Sequence, residues 1–262
     1  MEWVTSKTVS FDVSGVQLEG KCIGPPPSEA DTIILLHEGL GSVELWRDFP
    51  DKLAAATGKG VFIYSRQGYG RSDPVTLPRP LDYMNVEAER VLPAVLAAIG
   101  FKSGYIAGHS DGASIAAIYA GMATDNRLKG IILIAPHFFA EPISVTAIAR
   151  VNEQYSHENL RQKLFKYHSD VDGAFKGWCE SWLNPGFLKW NIEDFLSKID
   201  KPILAIQGTD DEYGTMRQMD SLKQNVAGSL QIEVIDKCGH SPHMQFPERI
   251  VQLVSEFTDR AL

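Results

Sequence analysis

The stretch "AGHSDGAS", residues 107–114, surrounds one serine with glycine and alanine. It lies between an apolar run at 104–109, which predicts a strand, and a helical pattern at 110–122. Within it, "GHSDG" matches G-x-S-x-G, in which small neighbours allow a sharp turn that exposes the serine hydroxyl. Ser110 could instead be the N-cap of the helix. The rest of the sequence has to decide between a reactive and a capping serine.

The composition indicates a globular protein without a nucleic-acid partner. The chain has 262 residues, 44% of them hydrophobic, and a net charge of −8. This length fits one large domain or one domain with an insertion. Lysine and arginine are scattered rather than clustered, so nothing in the sequence predicts binding to a phosphate backbone.

Cysteine usage and hydropathy predict a soluble, cytoplasmic protein. Cys22, Cys179 and Cys238 are odd in number and far apart, so we expect free thiols rather than disulfides or a zinc site. The stretch "MEWVTSKTVSF" lacks the basic start and apolar run of a secretory signal. The most apolar run, residues 130–136, is too short to cross a bilayer, so we expect no membrane partner.

Strand and helix patterns alternate along most of the chain. Strands are predicted at 8–13, 16–22, 32–37, 60–65, 104–109, 130–135, 202–207 and 230–235. Helices are predicted at 44–57, 82–99, 110–122, 215–226 and 246–260, with a kink expected at Pro93. This order predicts an α/β fold with an eight-stranded, mostly parallel, doubly wound sheet.

Residues 137–199 interrupt the alternation. They contain no strand pattern, but amphipathic helical patterns occur near 142–155, 157–168, 171–183 and 187–198. We therefore predict a core domain of residues 1–136 and 200–262, with a helical cap of residues 137–199 inserted after the sixth strand.

A serine hydroxyl needs a base within hydrogen-bond reach, and the base needs an acid that orients it. The sequence supplies both kinds of group after strands. "IQGTDDEYG" at 206–214 contains two aspartates, and "DKCGHSPHMQFPE" at 236–248 contains His240 after a glycine. The resulting order Ser…Asp…His occurs in one large group of hydrolases.

Four further stretches make a family resemblance specific. They are "LLHEGLGSVELW" (35–46), "YSRQGYGRSD" (64–73), "PILAIQGTDDEY" (202–213) and "CGHSPHMQFPE" (238–248). With "GHSDG", in this order, the chain resembles the capped, esterase-like branch of the α/β-hydrolase superfamily over nearly its whole length. The motifs are specific for the fold and much less so for the substrate.

The resemblance implies a role for each matched residue. Ser110 would be the nucleophile and His240 the general base. Asp211 would be the acid, with Asp210 the second choice and Glu212 a distant third. No cofactor is implied. His240 and His243 are three residues apart, but without a third ligand nearby they do not predict a metal site.

The resemblance also implies an oxyanion hole, formed by the backbone N–H groups of Gly39 and Asp111. Next to it the chain departs from the family, because Glu38 follows His37 where a glycine is usual. We expect the Glu38 carboxylate to point away or to pair with Arg66 or Arg71. A second departure, a serine at position 65 where aspartate is usual, is expected to be structural.

The predicted cap should cover Ser110 with apolar side chains. The candidates for the pocket are His137, Phe139, Trp178, Trp182 and Trp190, although His137 could also belong to the core or the surface. The implied function is hydrolysis of a small or medium carboxylic ester, thioester or lactone through an acyl-enzyme on Ser110. The alternatives are carbon–carbon bond hydrolysis of a diketone-like substrate and, in another class, a non-catalytic relative that binds a small ligand.

Overall fold

One mixed sheet of eight strands organises the molecule. The computed structural model describes residues 1–122, 124–157 and 159–260. The strands are β1 Thr8–Val13, β2 Val16–Ile23, β3 Thr32–Leu36, β4 Gly60–Ser65, β5 Gly104–His109, β6 Leu128–Ile134, β7 Ile203–Gly208 and β8 Leu230–Ile235. Their order is β1-β2-β4-β3-β5-β6-β7-β8. Only the pairs β1–β2 and β2–β4 are antiparallel, so the predicted mostly parallel sheet is confirmed.

Helices cover both faces of this sheet. Outside the segment between β6 and β7 they are α1 Phe49–Thr57, α2 Tyr83–Val86, α3 Leu92–Ala98, α4 Asp111–Met122, α9 Arg217–Asn225, α10 Pro242–Gln245 and α11 Pro247–Arg260. Helices α1 and α11 pack together on one face, where Trp46, Phe49 and Phe257 belong to one buried apolar cluster. Helices α2, α3 and α4 lie in the cluster of the other face. Burial on both faces explains the continuous apolar runs of the central strands.

Two predicted helices are interrupted, for different backbone reasons. The helix predicted at 44–57 divides into a 3₁₀ turn, Val43–Trp46, and α1. Arg47 between them has a φ of +53°, which ends a right-handed helix. In the segment predicted at 82–99, the π-helical turn Glu87–Val91 precedes Pro93. Because proline has no N–H to donate, a wider turn at this point avoids a hydrogen bond that Pro93 could not make.

The segment between β6 and β7 is helical, as its sequence predicts. Its elements are α5 Pro142–His157, α6 Leu160–Leu164, α7 Val171–Leu183, the 3₁₀ turn Pro185–Lys189 and α8 Glu193–Leu196. We call residues 137–199 the insertion. Its buried side chains Phe175, Trp182 and Phe187 belong to the same apolar cluster as α4. The insertion therefore packs on the sheet domain, and the division of the chain into core and cap stays a prediction.

A few predicted positions lie outside the described residues. They are residue 158 of the helix predicted at 157–168, and residues 123, 261 and 262 of the predicted core domain. Within the described ranges, no helix combines the length and apolar character needed to cross a membrane.

The crossing between β5 and α4 is the tightest backbone contact near Ser110. A Cβ added to Gly112 would lie 2.0 Å from the carbonyl oxygen of Leu36 on β3. A Cβ added to Gly108 would lie 2.1 Å from the carbonyl oxygen of Gly112. Both glycines of "GHSDG" are therefore required by the close approach of three backbone segments.

Substitution of Gly112 by alanine tests this packing. Because backbone atoms block the new methyl group, Gly112→Ala should lower the free energy of unfolding by about 3 kcal/mol or more, measured by denaturant unfolding. Gly228→Ala is the matched control, since its Cβ would make only an ordinary 3.6 Å contact. The control should change the free energy of unfolding by no more than about 0.5 kcal/mol. Equal effects of the two variants would contradict the packing argument.

Candidate active site

Ser110 occupies a sharp turn between β5 and α4. Its φ is +53°, a left-handed conformation that non-glycine residues rarely adopt. The turn is held because the Ser110 N–H donates to the carbonyl of Ile134 at 2.9 Å, and the Ser110 carbonyl accepts from the N–H of Ala113 at 2.9 Å. This conformation places the side chain at the carboxyl end of the central strands, as the nucleophile interpretation requires and a simple N-cap does not.

His240 connects Ser110 to Asp211. The His240 Nε2 atom lies 2.9 Å from the Ser110 Oγ, and the Nδ1 atom lies 2.9 Å from each carboxylate oxygen of Asp211. The loop after β8 that carries His240 is held by hydrogen bonds to the backbone N–H and the backbone carbonyl of His240. The His240 N–H donates to Glu212 at 3.2 Å, and the His240 carbonyl accepts from His109 Nε2 at 2.7 Å.

Asp211 is a buried carboxylate with a full set of donors. Besides the His240 ring, it accepts from Gln207 Nε2 at 2.7 Å, from the Tyr213 N–H at 2.8 Å and from the Gly214 N–H at 3.1 Å. Burial alone would raise its pKa, but the charge of His240 and these hydrogen bonds outweigh burial and lower the pKa to about 2. Asp211 therefore stays ionised and fixes the orientation of the imidazole.

The two alternative acids lie elsewhere. Asp210 is exposed and accepts from its neighbour Thr209 Oγ1 at 3.2 Å, whereas Glu212 reaches the backbone N–H of His240 rather than the ring. Of the three adjacent acidic residues, Asp211 is the one that contacts the imidazole.

A cavity of about 270 Å³ opens beside Ser110 and His240. Most of its walls are apolar and come from the turn after β3, from α5 and α7 of the insertion, and from the loop after β7. The lining residues are Glu38, Gly39, Leu40, His109, Ser110, Asp111, His137, Ser144, Ile148, Val151, Trp178, Trp182, Glu212, Tyr213, His240 and Ser241.

Three of the five predicted pocket residues line this cavity, and two do not. His137, Trp178 and Trp182 belong to the wall. The prediction was wrong for Phe139 and Trp190. Phe139 lies beside a different, polar cavity, under the guanidinium of Arg217 at 5.2 Å, and Trp190 stacks on Phe187 with ring centroids 5.3 Å apart. Both were chosen as aromatic residues of the insertion, and the sequence does not show which way each side chain faces.

Gly39 and Asp111, the predicted oxyanion donors, both border the cavity. The indole of Trp178 lies against Gly39 so closely that a Cβ at this position would be 2.2 Å from the ring. Asp111 is the first residue of α4, so its N–H has no acceptor within its own helix.

We expected the Glu38 carboxylate to point away or to pair with Arg66 or Arg71, and the pairing with an arginine was wrong. Its Oε2 atom lies 3.5 Å from Nδ1 of His109, and only the backbone carbonyl of Glu38 contacts Arg66, accepting from Nη2 at 3.0 Å. The guanidinium of Arg71 instead donates to Lys166 and Ser169. Burial raises the Glu38 pKa, but the neighbouring His109 outweighs it and brings the pKa well below the usual range. Glu38 is thus a carboxylate at the cavity wall.

Ser65 has structural contacts, as expected. Its hydroxyl donates to the buried carboxylate of Glu19 at 2.6 Å and accepts from the N–H of Val43 at 2.9 Å. The contacts tie β4 to β2 and to the chain after the β3 turn.

Tyr83 and two contacts of the Asp111 carboxylate, with Trp182 and with Arg66, were not predicted from the sequence. The Asp111 carboxylate accepts from Tyr83 Oη at 2.5 Å and from Trp182 Nε1 at 3.3 Å, and Nη2 of the buried Arg66 lies 3.9 Å away. Burial raises the Asp111 pKa, and the Arg66 guanidinium opposes that rise. Arg66 belongs to the motif "YSRQGYGRSD" (64–73), so the sequence does mark this position as one to inspect. The partnership of Tyr83 with Asp111 has no local signature, because 28 positions separate them.

His243 packs among the rings of Trp46, Phe49 and His109. Its ring centroid lies 4.8 Å from that of Trp46 and 4.6 Å from that of His109. In the part of the chain that the structure describes, no three His, Cys, Asp or Glu side chains are grouped to hold a metal ion.

Comparison with known proteins identifies the family to which this fold belongs. The family model described as "Alpha/beta hydrolase family" matches residues 33–253. The chain belongs to this family. A search of curated proteins found no match.

Several solved structures share the fold over almost the whole chain. A carboxylesterase structure from Nitrososphaera gargenis is 17% identical, with a TM-score of 0.77 and coverage of 97% of this chain and 98% of the other. The enol-lactonase from Burkholderia xenovorans LB400 is 16% identical, with a TM-score of 0.74 and coverage of 95% and 99%. Proline iminopeptidase of Mycobacterium smegmatis is 17% identical, with a TM-score of 0.73 and coverage of 97% and 98%. At these identities the likeness concerns the fold alone.

Four buried histidines make the stability of this hydrolase-family protein depend on pH. Burial lowers the pKa of His37, His168 and His243, and it lowers the pKa of His137 to about 3. In the unfolded chain a histidine titrates near pH 6.5. Unfolding below about pH 6.5 therefore takes up protons, and the free energy of unfolding should fall by about 1.4 kcal/mol per pH unit for each such histidine.

Denaturant unfolding at pH 7.5, 6.5 and 5.5 measures this slope. In that interval most carboxylates stay ionised in both states, so the histidines dominate the change. His243→Gln should lower the number of protons taken up on unfolding by about one, and the slope should fall accordingly. A free energy of unfolding that stays constant from pH 7.5 to 5.5 would contradict the neutral state of these rings.

Proposed function

We propose that this protein is a serine hydrolase that cleaves a small or medium carboxylic ester, thioester or lactone through an acyl-enzyme on Ser110. One observation carries the proposal. The Ser110 hydroxyl, the His240 imidazole and the Asp211 carboxylate form an unbroken chain of contacts of 2.9 Å, and the serine end of this chain borders the cavity. A lone capping serine requires none of these contacts.

In the first half-reaction, Ser110 Oγ attacks the substrate carbonyl carbon while its proton passes to His240 Nε2. The C=O π electrons move to oxygen, and this oxyanion accepts hydrogen bonds from the N–H groups of Gly39 and Asp111. When the tetrahedral intermediate collapses, the bond to the leaving alcohol or thiol breaks and that group takes the proton from His240. The acyl group stays esterified to Ser110.

In the second half-reaction, water attacks the acyl carbon and gives a proton to His240 Nε2. Collapse of the second tetrahedral intermediate breaks the bond to Ser110 Oγ, which recovers the proton, and the free acid leaves. Throughout, Asp211 accepts from Nδ1 of the imidazole, so Nε2 is the nitrogen that can accept the serine proton. Asp211 has a lowered pKa and four hydrogen-bonding partners, and both support this role.

Side chains of the insertion support our proposal that apolar residues cover the site. Ile148 and Val151 of α5 and Trp178 and Trp182 of α7 line the cavity opposite the elements that follow β3 and β5. Apolar walls of this kind suit an aliphatic or aromatic acyl group and reduce the access of bulk water. The carboxylesterase and the enol-lactonase of the same fold are consistent with this substrate class.

Replacing the proposed nucleophile should abolish turnover. Ser110→Ala should lower kcat for p-nitrophenyl butyrate by about 10⁴-fold or more and should abolish covalent labelling by a fluorophosphonate probe. The probe requires a nucleophilic serine, so labelling is independent of the choice of ester. Unchanged turnover or unchanged labelling in Ser110→Ala would contradict the proposed role of Ser110.

The adjacent aspartates give a matched pair for the acid. Asp211→Asn should lower kcat by about 10⁴-fold, because the amide cannot hold the imidazole in the required tautomer. Asp210→Asn removes the same charge from the neighbouring exposed position and should leave kcat within about threefold. Equal losses in the two variants would contradict the assignment of Asp211.

The charge around the cavity favours neutral over anionic acyl groups. Three lining residues, Glu38, Asp111 and Glu212, carry carboxylates, and no lysine or arginine is among the lining residues that the structure describes. A substrate carboxylate would therefore meet like charges without a cation to receive it.

A pair of esters of equal length measures this preference. We expect kcat/KM for neutral p-nitrophenyl butyrate to exceed that for anionic p-nitrophenyl hemisuccinate by about tenfold or more, from roughly 1 to 2 kcal/mol of like-charge repulsion. Glu212→Gln should reduce the ratio. Glu256→Gln, a change of a half-exposed carboxylate on α11 away from the cavity, should leave it unchanged. A preference for the anionic ester would contradict the charge argument.

A further inference from the structure

The peptide group between Glu38 and Gly39 is held firmly by its oxygen. The Glu38 carbonyl accepts three hydrogen bonds, from His37 Nδ1 at 2.7 Å, from Arg66 Nη2 at 3.0 Å and from the N–H of Gly41 at 3.1 Å. The His37 ring is neutral and has a fixed tautomer, because its Nε2 accepts from the backbone N–H of Arg66 at 3.0 Å. Three donors thus fix the direction of one carbonyl.

The other end of this peptide group is the N–H of Gly39. The peptide is trans, so its C=O and N–H point in opposite directions. Donors that hold the Glu38 carbonyl on the protein side therefore turn the Gly39 N–H the other way. Gly39 lines the cavity, where this N–H is the oxyanion donor of the proposed function.

The same guanidinium also faces the residue that carries the second proposed donor. Arg66 Nη1 donates to the His37 carbonyl at 2.5 Å, and Nη2 lies 3.9 Å from Oδ2 of Asp111. Asp111 is further anchored by Tyr83 Oη and Trp182 Nε1. Arg66 and Asp111 are both buried, so their charges face each other without solvent screening.

We propose that Arg66 is a positioning residue that fixes the two oxyanion donors relative to each other, through the Glu38 carbonyl on one side and the Asp111 carboxylate on the other. This inference rests on the proposed function. Arginine suits the task because its planar fork reaches several acceptors at fixed angles, whereas lysine offers a single flexible charge. A merely structural Arg66 would affect folding stability and leave the transition state unaffected in the folded enzyme.

Arg66→Lys tests the proposal, with Arg71→Lys as the matched control. Both arginines lie in the same loop after β4, but the Arg71 guanidinium contacts only Ser169 and Lys166 in the described structure. We expect Arg66→Lys to lower kcat for p-nitrophenyl butyrate by about 10- to 100-fold with KM within about threefold, as for loss of oxyanion stabilisation. Arg71→Lys should leave both constants within about twofold.

A transition-state analogue separates positioning from a structural role. An alkyl trifluoromethyl ketone forms a tetrahedral adduct on the serine, so its inhibition constant should rise in Arg66→Lys by the same factor by which kcat/KM falls. The inhibition constant of Arg71→Lys should match the wild type. A folded Arg66→Lys enzyme with kcat within threefold of wild type, or with unchanged ketone affinity, would overturn the proposal.

If Arg66→Lys does not fold, Tyr83→Phe is the variant to measure instead. It removes one O–H from the Asp111 carboxylate, and we expect kcat and ketone affinity to fall together by about 3- to 10-fold. With Arg66→Lys unfolded, wild-type kcat in Tyr83→Phe would overturn the inference. The proposed function fails separately, since it falls if Ser110→Ala keeps its activity, whatever the behaviour of Arg66 and Tyr83.

Discussion

The structure around the site depends on the contact of three backbone segments where β5 passes into α4. Gly108 and Gly112 let the strand, the helix and the end of β3 approach more closely than any side chain would permit. This contact sets the left-handed backbone of Ser110. It also brings the turn after β3, which carries Glu38 and Gly39, to the start of α4. The positions of the proposed nucleophile and of the proposed oxyanion donors are consequences of one packing constraint.

Electrostatics around this turn follow from burial. Asp211 keeps its charge because it has a full set of donors, whereas burial, and after it neighbouring positive charge, lowers the pKa of His37 and His243. The Glu38 carboxylate faces His109, whose other nitrogen holds the carbonyl of His240. An acid at a position where the family usually has glycine is therefore connected to the loop that carries the proposed base.

Local patterns in the sequence predicted the sheet, the order of its elements and the three residues of the Ser–His–Asp chain. Strand runs and glycine spacing are local properties, and the motif fixes Ser110, Asp211 and His240 relative to strand ends. The partner of Glu38 and the direction of Phe139 depend on contacts between elements far apart in sequence, which no local pattern encodes. The same reason hid Tyr83 and the bridging position of Arg66.

Helix α7 reaches both sides of the site at once. Trp178 and Trp182, four residues apart on this helix, contact Gly39 and Asp111 respectively. A shift of α7 would disturb both contacts, so this wall of the cavity has little freedom to change. Helix α5 contributes Ile148 and Val151 to the same cavity, and these aliphatic side chains cannot form a hydrogen bond such as the one between Trp182 and Asp111. Acquisition of bulkier substrates during evolution should thus proceed through changes in α5, leaving the tryptophan side as it is.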